Sequence, residues 1–336
     1  MTMLNEYRGF LKDVQKSKAK KYSILSTSGV FEHKRKINIG LIFANVLTIS
    51  SIAIITGYYG QQWKNYTQNE DISVKYYSAV NAEYTPEVQT EPVIEEEQVE
   101  EVERKPLVLL EGAKALLAEN KDTVGYIKID GIKVDNVVVQ TDNNDYYLDH
   151  NFYGKPSQPG TLFADYRCTL NTYNDSDNII IYGHNQKDGK MFGELDLYKW
   201  GQDFWLTHNI INFNTNYEES EYVIVASFVT NELPEHDLGK VFDYYNYILF
   251  NEYYPFDKWY SEIMQRTMFK TGISCTKDDK YITLSTCSSE WEPSRHVIIA
   301  RKVRDGEEIT IEGYEWNSNP KYPQIYYDMY GGSWEG

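Results

Sequence analysis

Cysteine is scarce: Cys168, Cys275 and Cys287 are the only three in 336 residues, and no two are spaced as CxxC. That pattern excludes a clustered-thiol zinc site and a disulfide framework, leaving room for a single disulfide at most. In a domain facing an oxidising exterior, a reactive thiol stays free more easily when few others can capture it. Positive charge is also short, with 33 Lys and Arg against 50 Asp and Glu and a formal net charge of -17. Nucleic acid is therefore excluded as the main partner, because a phosphate backbone is gripped by clustered cations. The acidic surplus has its most direct use in colloidal solubility.

Charge of either sign is missing altogether from Ile37 to Trp63. The run that opens this stretch approaches the roughly 20 residues a helix needs to cross a bilayer. It is longer than the apolar part of a cleavable signal and starts too far from the N-terminus for one. The expectation is an uncleaved, single-pass transmembrane anchor at 37–59. Residues 1–36 are polar and basic, with Lys12, Lys16, Lys18, Lys20, Lys21, Lys34, Arg35 and Lys36. The positive-inside rule leaves that segment in the cytoplasm and the rest of the chain outside, held at the cell membrane. Residues 60–106 are polar and end in a Glu-rich run from Glu91 to Glu103. With little to bury, they read as an acidic, extended, self-repelling spacer.

Core-forming residues are densest from Leu107 onward, and about 200 residues are ample for one buried domain. A short amphipathic helix with Leu107, Leu110, Leu116 and Leu117 near one face comes first. Strands are expected at 124–129, 132–139, 160–164, 178–182, 210–213, 222–228, 281–286 and 296–303, with Asp130-Gly131 as a two-residue hairpin turn. Helical insertions are expected at 191–206 and 256–269. Short strands at this spacing with few intervening helices predict a mainly β fold, a closed or nearly closed barrel. The catalytic domain is expected over 107–304. An extension at 305–336 adds one strand near Ile309 to Ile311 and a Tyr- and Gly-rich end with no functional reading.

Cys287 ends the strand-like run YITLSTC and is followed by Ser288, Ser289 and Glu290. A thiol at the mouth of a strand is placed to react, whereas a structural cysteine more often sits within an apolar run. Arg295 lies just before the next strand, so a hairpin-like return brings guanidinium and thiol to one end of two strands. Its fixed fork of donors suits an oxyanion or a clamped carbonyl. His184 ends another strand, NIIIYGH, where Gly183 lets the strand end present its side chain at the rim. A thiol nucleophile needs a group to hold its proton and then protonate the leaving amine. Of the other histidines, His33 lies on the cytoplasmic side and His208 and His236 in loop or helix-end contexts. His296 points to the opposite face if its strand alternates, and His150 is the reserve.

The GHN of 183–185, the string TLSTC at 283–287 and the downstream Arg295, three separated pieces in family order, resemble the signature of sortases, the transpeptidases of Gram-positive surfaces. The resemblance is greatest to class B. Its marks are KDGKMF at 187–192, VVQTDNNDYYL at 138–148, GTLFADYR at 160–167 and a helix ahead of the cysteine strand, and it covers roughly Leu107 to Val303. It implies an eight-stranded sortase barrel and a thiol-dependent transpeptidase needing neither metal nor cofactor. Cys287 would attack the carbonyl after Thr in a C-terminal sorting signal of Asn-Pro-x-Thr type. The acyl group would pass to an amine of a peptidoglycan precursor or cross-bridge, anchoring a surface protein. Ser285 and Thr286 match positions lining the substrate groove. The alternatives are a pilin-polymerising sortase with a Lys amine as acceptor, a membrane-tethered binding module on the same fold, and a plain cysteine protease.

Overall fold

In the computed structural model, which describes residues 39–81, 106–200, 202–311 and 313–334, the eight expected strands close on themselves. They are β1 (Thr123–Lys128), β2 (Asp135–Val139), β3 (Leu162–Ala164), β4 (Asn178–Tyr182), β5 (Ile210–Thr215), β6 (Glu221–Asn231), β8 (Tyr281–Cys287) and β9 (Ser294–Lys302). Around the barrel the order is β1-β2-β3-β4-β8-β9-β6-β5. β2 runs parallel to β3 and β4 parallel to β8, while the other barrel neighbours are antiparallel. A separate two-stranded ribbon joins β7 (Phe269–Lys270) to β10 (Glu315–Trp316).

β8 is buried along its whole length except at Cys287, as expected of a strand covered on both faces. Ile282 and Leu284 point inward to the barrel core with Ile180, Ile224, Ile298 and Ala300. Tyr281 points outward, with Val297 and Ile299 of β9, into a second cluster. That outer cluster is roofed by the helix Phe256–Arg266, whose Phe256, Trp259 and Ile263 recur at helical spacing and are buried. A third cluster covers the outer face of β1 to β3 and includes Tyr126, Val137, Val139 and Phe163.

Two compact units divide the chain, Met1–Tyr59 and Gly60–Gly336. The helix α1 (Ile39–Val80) starts in the first. Among the described residues no helix is long and apolar enough to cross a membrane. The span expected at 37–59 is therefore not borne out there, and its first two residues, with the basic segment 1–36, lie outside the described residues. In the second unit the expected extended spacer is helical through Val80. Ile72 and Tyr76 are buried in the third cluster, and the Tyr76 ring stacks on Tyr126 at 4.0 Å between centroids. Two buried apolar side chains four residues apart give this stretch the anchoring that its polar composition hid. The Glu-rich run lies outside the described residues.

Smaller departures follow the same logic. The first amphipathic helix is α2 (Glu111–Leu117). The first hairpin has a wider turn than Asp130-Gly131 suggests, because β2 begins at Asp135 and Ile129 N–H still bonds to the Val134 carbonyl at 2.9 Å. The helical insertion at 191–206 is broken into a 3-10 turn (Gly193–Asp196), α3 (Leu197–Trp200) and α4 (Gln202–Thr207). The roofing helix, α5, stops at Arg266, and Phe269 joins β7 instead. The C-terminal extension has no strand at 309–311, but carries β10 and the helix α6 (Gln324–Tyr330).

Candidate active site

Antiparallel register sets Cys287 directly opposite Arg295 on β8 and β9, so their side chains share one face. Cys287 is exposed and unbridged. The Arg295 guanidinium donates from Nη1 to Cys287 Sγ at 2.7 Å and from Nη2 to Glu232 Oε1 at 2.7 Å. Glu232 follows β6, the other neighbour of β9, and so arrives beside Arg295 by pairing rather than by sequence. Burial pulls the guanidinium pKa down, but Cys287, Glu232 and Tyr244 outweigh it and hold Arg295 above its ordinary value.

β4 delivers His184. Tyr182 is in register with Ser285 in the parallel β4–β8 pair, and Gly183 N–H bonds to the Ser285 carbonyl at 3.2 Å. His184 follows two residues past the end of β4, at the rim where the parallel β8 ends in Cys287. His184 is half-buried, and its Nε2 bonds to the Leu148 carbonyl at 2.8 Å. A carbonyl only accepts, so Nε2 carries the hydrogen of this bond. Gly183 is required for space rather than for freedom of rotation: a Cβ there would stand 2.3 Å from Leu162 Cδ2 and 2.8 Å from Phe192 Cδ2.

Behind the cysteine lies a polar network that sequence reasoning missed. Asn185 Nδ2 donates to the Cys287 carbonyl at 3.0 Å and to Asp196 Oδ2 at 3.1 Å. Lys199, only 2% exposed at its side chain, pairs with Asp196 at 2.9 Å and with Glu290 at 2.7 Å, and bonds to Ser288 Oγ at 3.2 Å. Ser288 Oγ in turn donates to Glu290. The residues just after Cys287 are thus tied to the insertion between β4 and β5. Lys199 gives little sign of this in sequence, since a lone Lys in a helical stretch reads as surface charge.

The remaining expected residues fall into place as follows. Ser285 is 2% exposed and its hydroxyl bonds to the Tyr244 hydroxyl at 2.7 Å. Thr286 is 1% exposed and faces the interior opposite His296. As placed, neither offers a ligand much surface. His296 is buried against Ser227 Oγ, 2.8 Å from its Nε2; burial, with Lys199 nearby, pushes its pKa down to about 3. His150 bonds through Nδ1 to the Tyr146 carbonyl at 2.8 Å and stacks on the Tyr146 ring.

Three clefts adjoin around this group. One of about 680 Å³ is bounded by Asn185, Asp188, Glu194 and Cys287. The next, of about 510 Å³, lies between Cys287, Glu232 and Trp291. The third, of about 330 Å³, is walled by Tyr182, Tyr244, Tyr245 and Arg295. Among the described residues there is no group of three or more His, Cys, Asp or Glu able to hold a metal.

A sequence model of the sortase domain matches residues 127–303, which is more than half of the chain and includes all eight barrel strands except the first four residues of β1. The chain belongs to the sortase family. A sortase is a cysteine transpeptidase, and the class B branch is the most similar. Sortase B of Listeria monocytogenes is 34% identical over 186 residues, covering 55% of this chain and 71% of that protein. Sortase B of Staphylococcus aureus is 28% identical over 187 residues, with the same coverage of each. The sortase fold is matched by a Bacillus anthracis crystal structure described as similar to sortase B, with a TM-score of 0.56, 25% identity, and 72% of this chain and 96% of that one covered. A Staphylococcus aureus sortase B–substrate complex has the same fold, with a TM-score of 0.57, 22% identity, and 73% and 98% covered.

Proposed function

We propose that this sortase cleaves a C-terminal sorting signal after Thr and transfers the acyl group from Cys287 to an amine of the cell wall. The carrying observation is the exposed Cys287 thiol with Arg295 Nη1 at 2.7 Å, with His184 two residues past the end of β4, the neighbour of β8. The Cys287 thiolate adds to the Thr carbonyl carbon, and the charge that develops on the carbonyl oxygen is met by the guanidinium. His184 gives its proton to the departing amine as the C–N bond breaks, leaving a thioester. The incoming amine then adds to the thioester carbonyl, His184 takes its proton, and the thiolate leaves as the new amide forms.

The 330 Å³ cleft beside Arg295 supports a place for the signal peptide, with Tyr244 presented by Ser285 from below. On this reading Ser285 acts on substrate through Tyr244, and Thr286 through the packing of β8. An amine on a peptidoglycan precursor or cross-bridge is the acceptor in this proposal, and surface proteins bearing the signal are the donors. Attachment at a membrane through the apolar run of 37–59 is part of it too, and rests on the charge-free sequence from Ile37 to Trp63. The test is intact-mass analysis after mixing the chain with Asn-Pro-x-Thr and Leu-Pro-x-Thr-Gly peptides. The wild type should gain an acyl adduct that an added amine releases. Cys287→Ala should gain none, and an equal adduct on that variant would overturn the reading.

A further inference from the structure

The C-terminal extension lies beyond the residues matched as a sortase domain, and the chain brings it back to the cleft. Tyr314 stacks on Trp205 at 4.9 Å, and β10 then pairs with β7. Asn317 N–H bonds to the Met268 carbonyl at 2.9 Å and Lys321 N–H to the Gln265 carbonyl at 2.8 Å, which leads the chain past the end of α5. There Tyr322 and Tyr326 stack at 3.9 Å between centroids. From this platform two loops are held. Tyr326 meets Trp291 edge-on, 6.4 Å between centroids, and Gln324 N–H donates to Asp237 Oδ1 at 3.0 Å.

Both loops border the reacting groups. Trp291 lies four residues past Cys287, is 6% exposed and walls the 510 Å³ cleft that Cys287 and Glu232 share. Asp237 ends the 3-10 turn Pro234–Asp237 that follows Glu232, the partner of Arg295. The loop from Ser288 to Pro293 is already fixed on one side by Lys199 through Ser288 and Glu290, and the tyrosine platform supplies the other side. A loop without strand pairing would otherwise sample many arrangements, and each productive encounter would have to select one.

We infer that residues 314–330 are a positioning element of the active centre, a clamp that fixes the Trp291 loop and the Glu232 loop together and so shapes the peptide cleft between them. This rests on the transpeptidase reading for its substrate, but not for its geometry. The experiment uses the full chain with Tyr326→Ala, Asp237→Ala, their double variant, and Tyr326→Phe as the conservative control. KM for the signal peptide should rise about five- to tenfold in the double variant with kcat changed less than about twofold, while Tyr326→Phe stays at wild type. Alkylation of Cys287 by iodoacetamide, which needs no peptide, should quicken about threefold as the loop loosens. Wild-type KM and alkylation rate in the double variant would overturn the clamp. So would a loss of activity that merely follows the unfolded fraction measured by circular dichroism. If no peptide acylates the wild type, the transpeptidase reading fails, and the alkylation rates still decide the clamp.

Discussion

Arg295 sends its two terminal nitrogens to different partners, Sγ of Cys287 and Oε1 of Glu232. The carboxylate aims the fork while the other arm faces the Cys287 sulfur. Lysine has one nitrogen on a flexible stem and cannot hold both at these positions. Arg295→Lys is therefore expected to lower kcat/KM for signal-peptide cleavage about a hundredfold, the scale of losing one oxyanion donor. Peptide turnover followed by chromatography checks it, and a loss under threefold would show that the fork is dispensable. Cys287 and Arg295 were legible in sequence because one hairpin-like return links them. Glu232 was not, since it reaches the site only through the pairing of β6 with β9. Lys199 was hidden by its residue type, its role set by Asp196 one helical turn away and by Glu290 from a distant part of the chain.

Elements were legible where a local pattern specifies them. The eight barrel strands follow from short apolar and β-branched runs spaced along the chain, and α5 from Phe256, Trp259 and Ile263 at helical spacing. The two-residue ribbon strands β7 and β10 carry no such pattern and exist only by pairing with each other. The 60–80 part of α1 was misread because its polar residues dominate the composition, while its docking depends on Ile72 and Tyr76. Tyr76 is 5% exposed, stacks on Tyr126, and accepts a hydrogen bond from Asn214 Nδ2 at 2.9 Å. Gly112 of α2 also needs its small size there, since a Cβ would stand 2.2 Å from the Tyr76 ring. Tyr76→Ala should destabilise the second unit by about 3 kcal/mol. Urea unfolding monitored by fluorescence measures this, and a change below about 0.5 kcal/mol would mean that the helix adds little to the barrel.

At the scale of the whole molecule, acid should loosen the barrel before it discharges most carboxylates. His296, facing Lys199, Asp196 and Glu290, has a folded pKa of about 3 against an ordinary 6.5. The unfolded chain takes up this proton below pH 6.5 while the folded chain does not until about pH 3. Stability therefore falls as pH drops through that window, by about 2 kcal/mol at pH 5. The Glu307 carboxyl, held low chiefly by hydrogen bonds from Arg301, adds to the loss at more acidic pH, with the same sign. Urea midpoints at pH 7 and pH 5 for wild type and His296→Gln test this. Equal pH sensitivity in the two proteins would remove His296 as the cause.

The parallel pairing of β4 with β8 has a consequence for how such a chain can change over time. Both strands run toward the same rim, so Asn185 and the Cys287 carbonyl meet although 102 positions separate them. The intervening stretch can lengthen, shrink or be exchanged for another without shifting the meeting point, provided that Lys199, Asp196 and Glu232 are kept and β5 and β6 still take their places in the wall. New loops can thus be grafted between the two strands while the alignment of Asn185 with Cys287 is inherited intact.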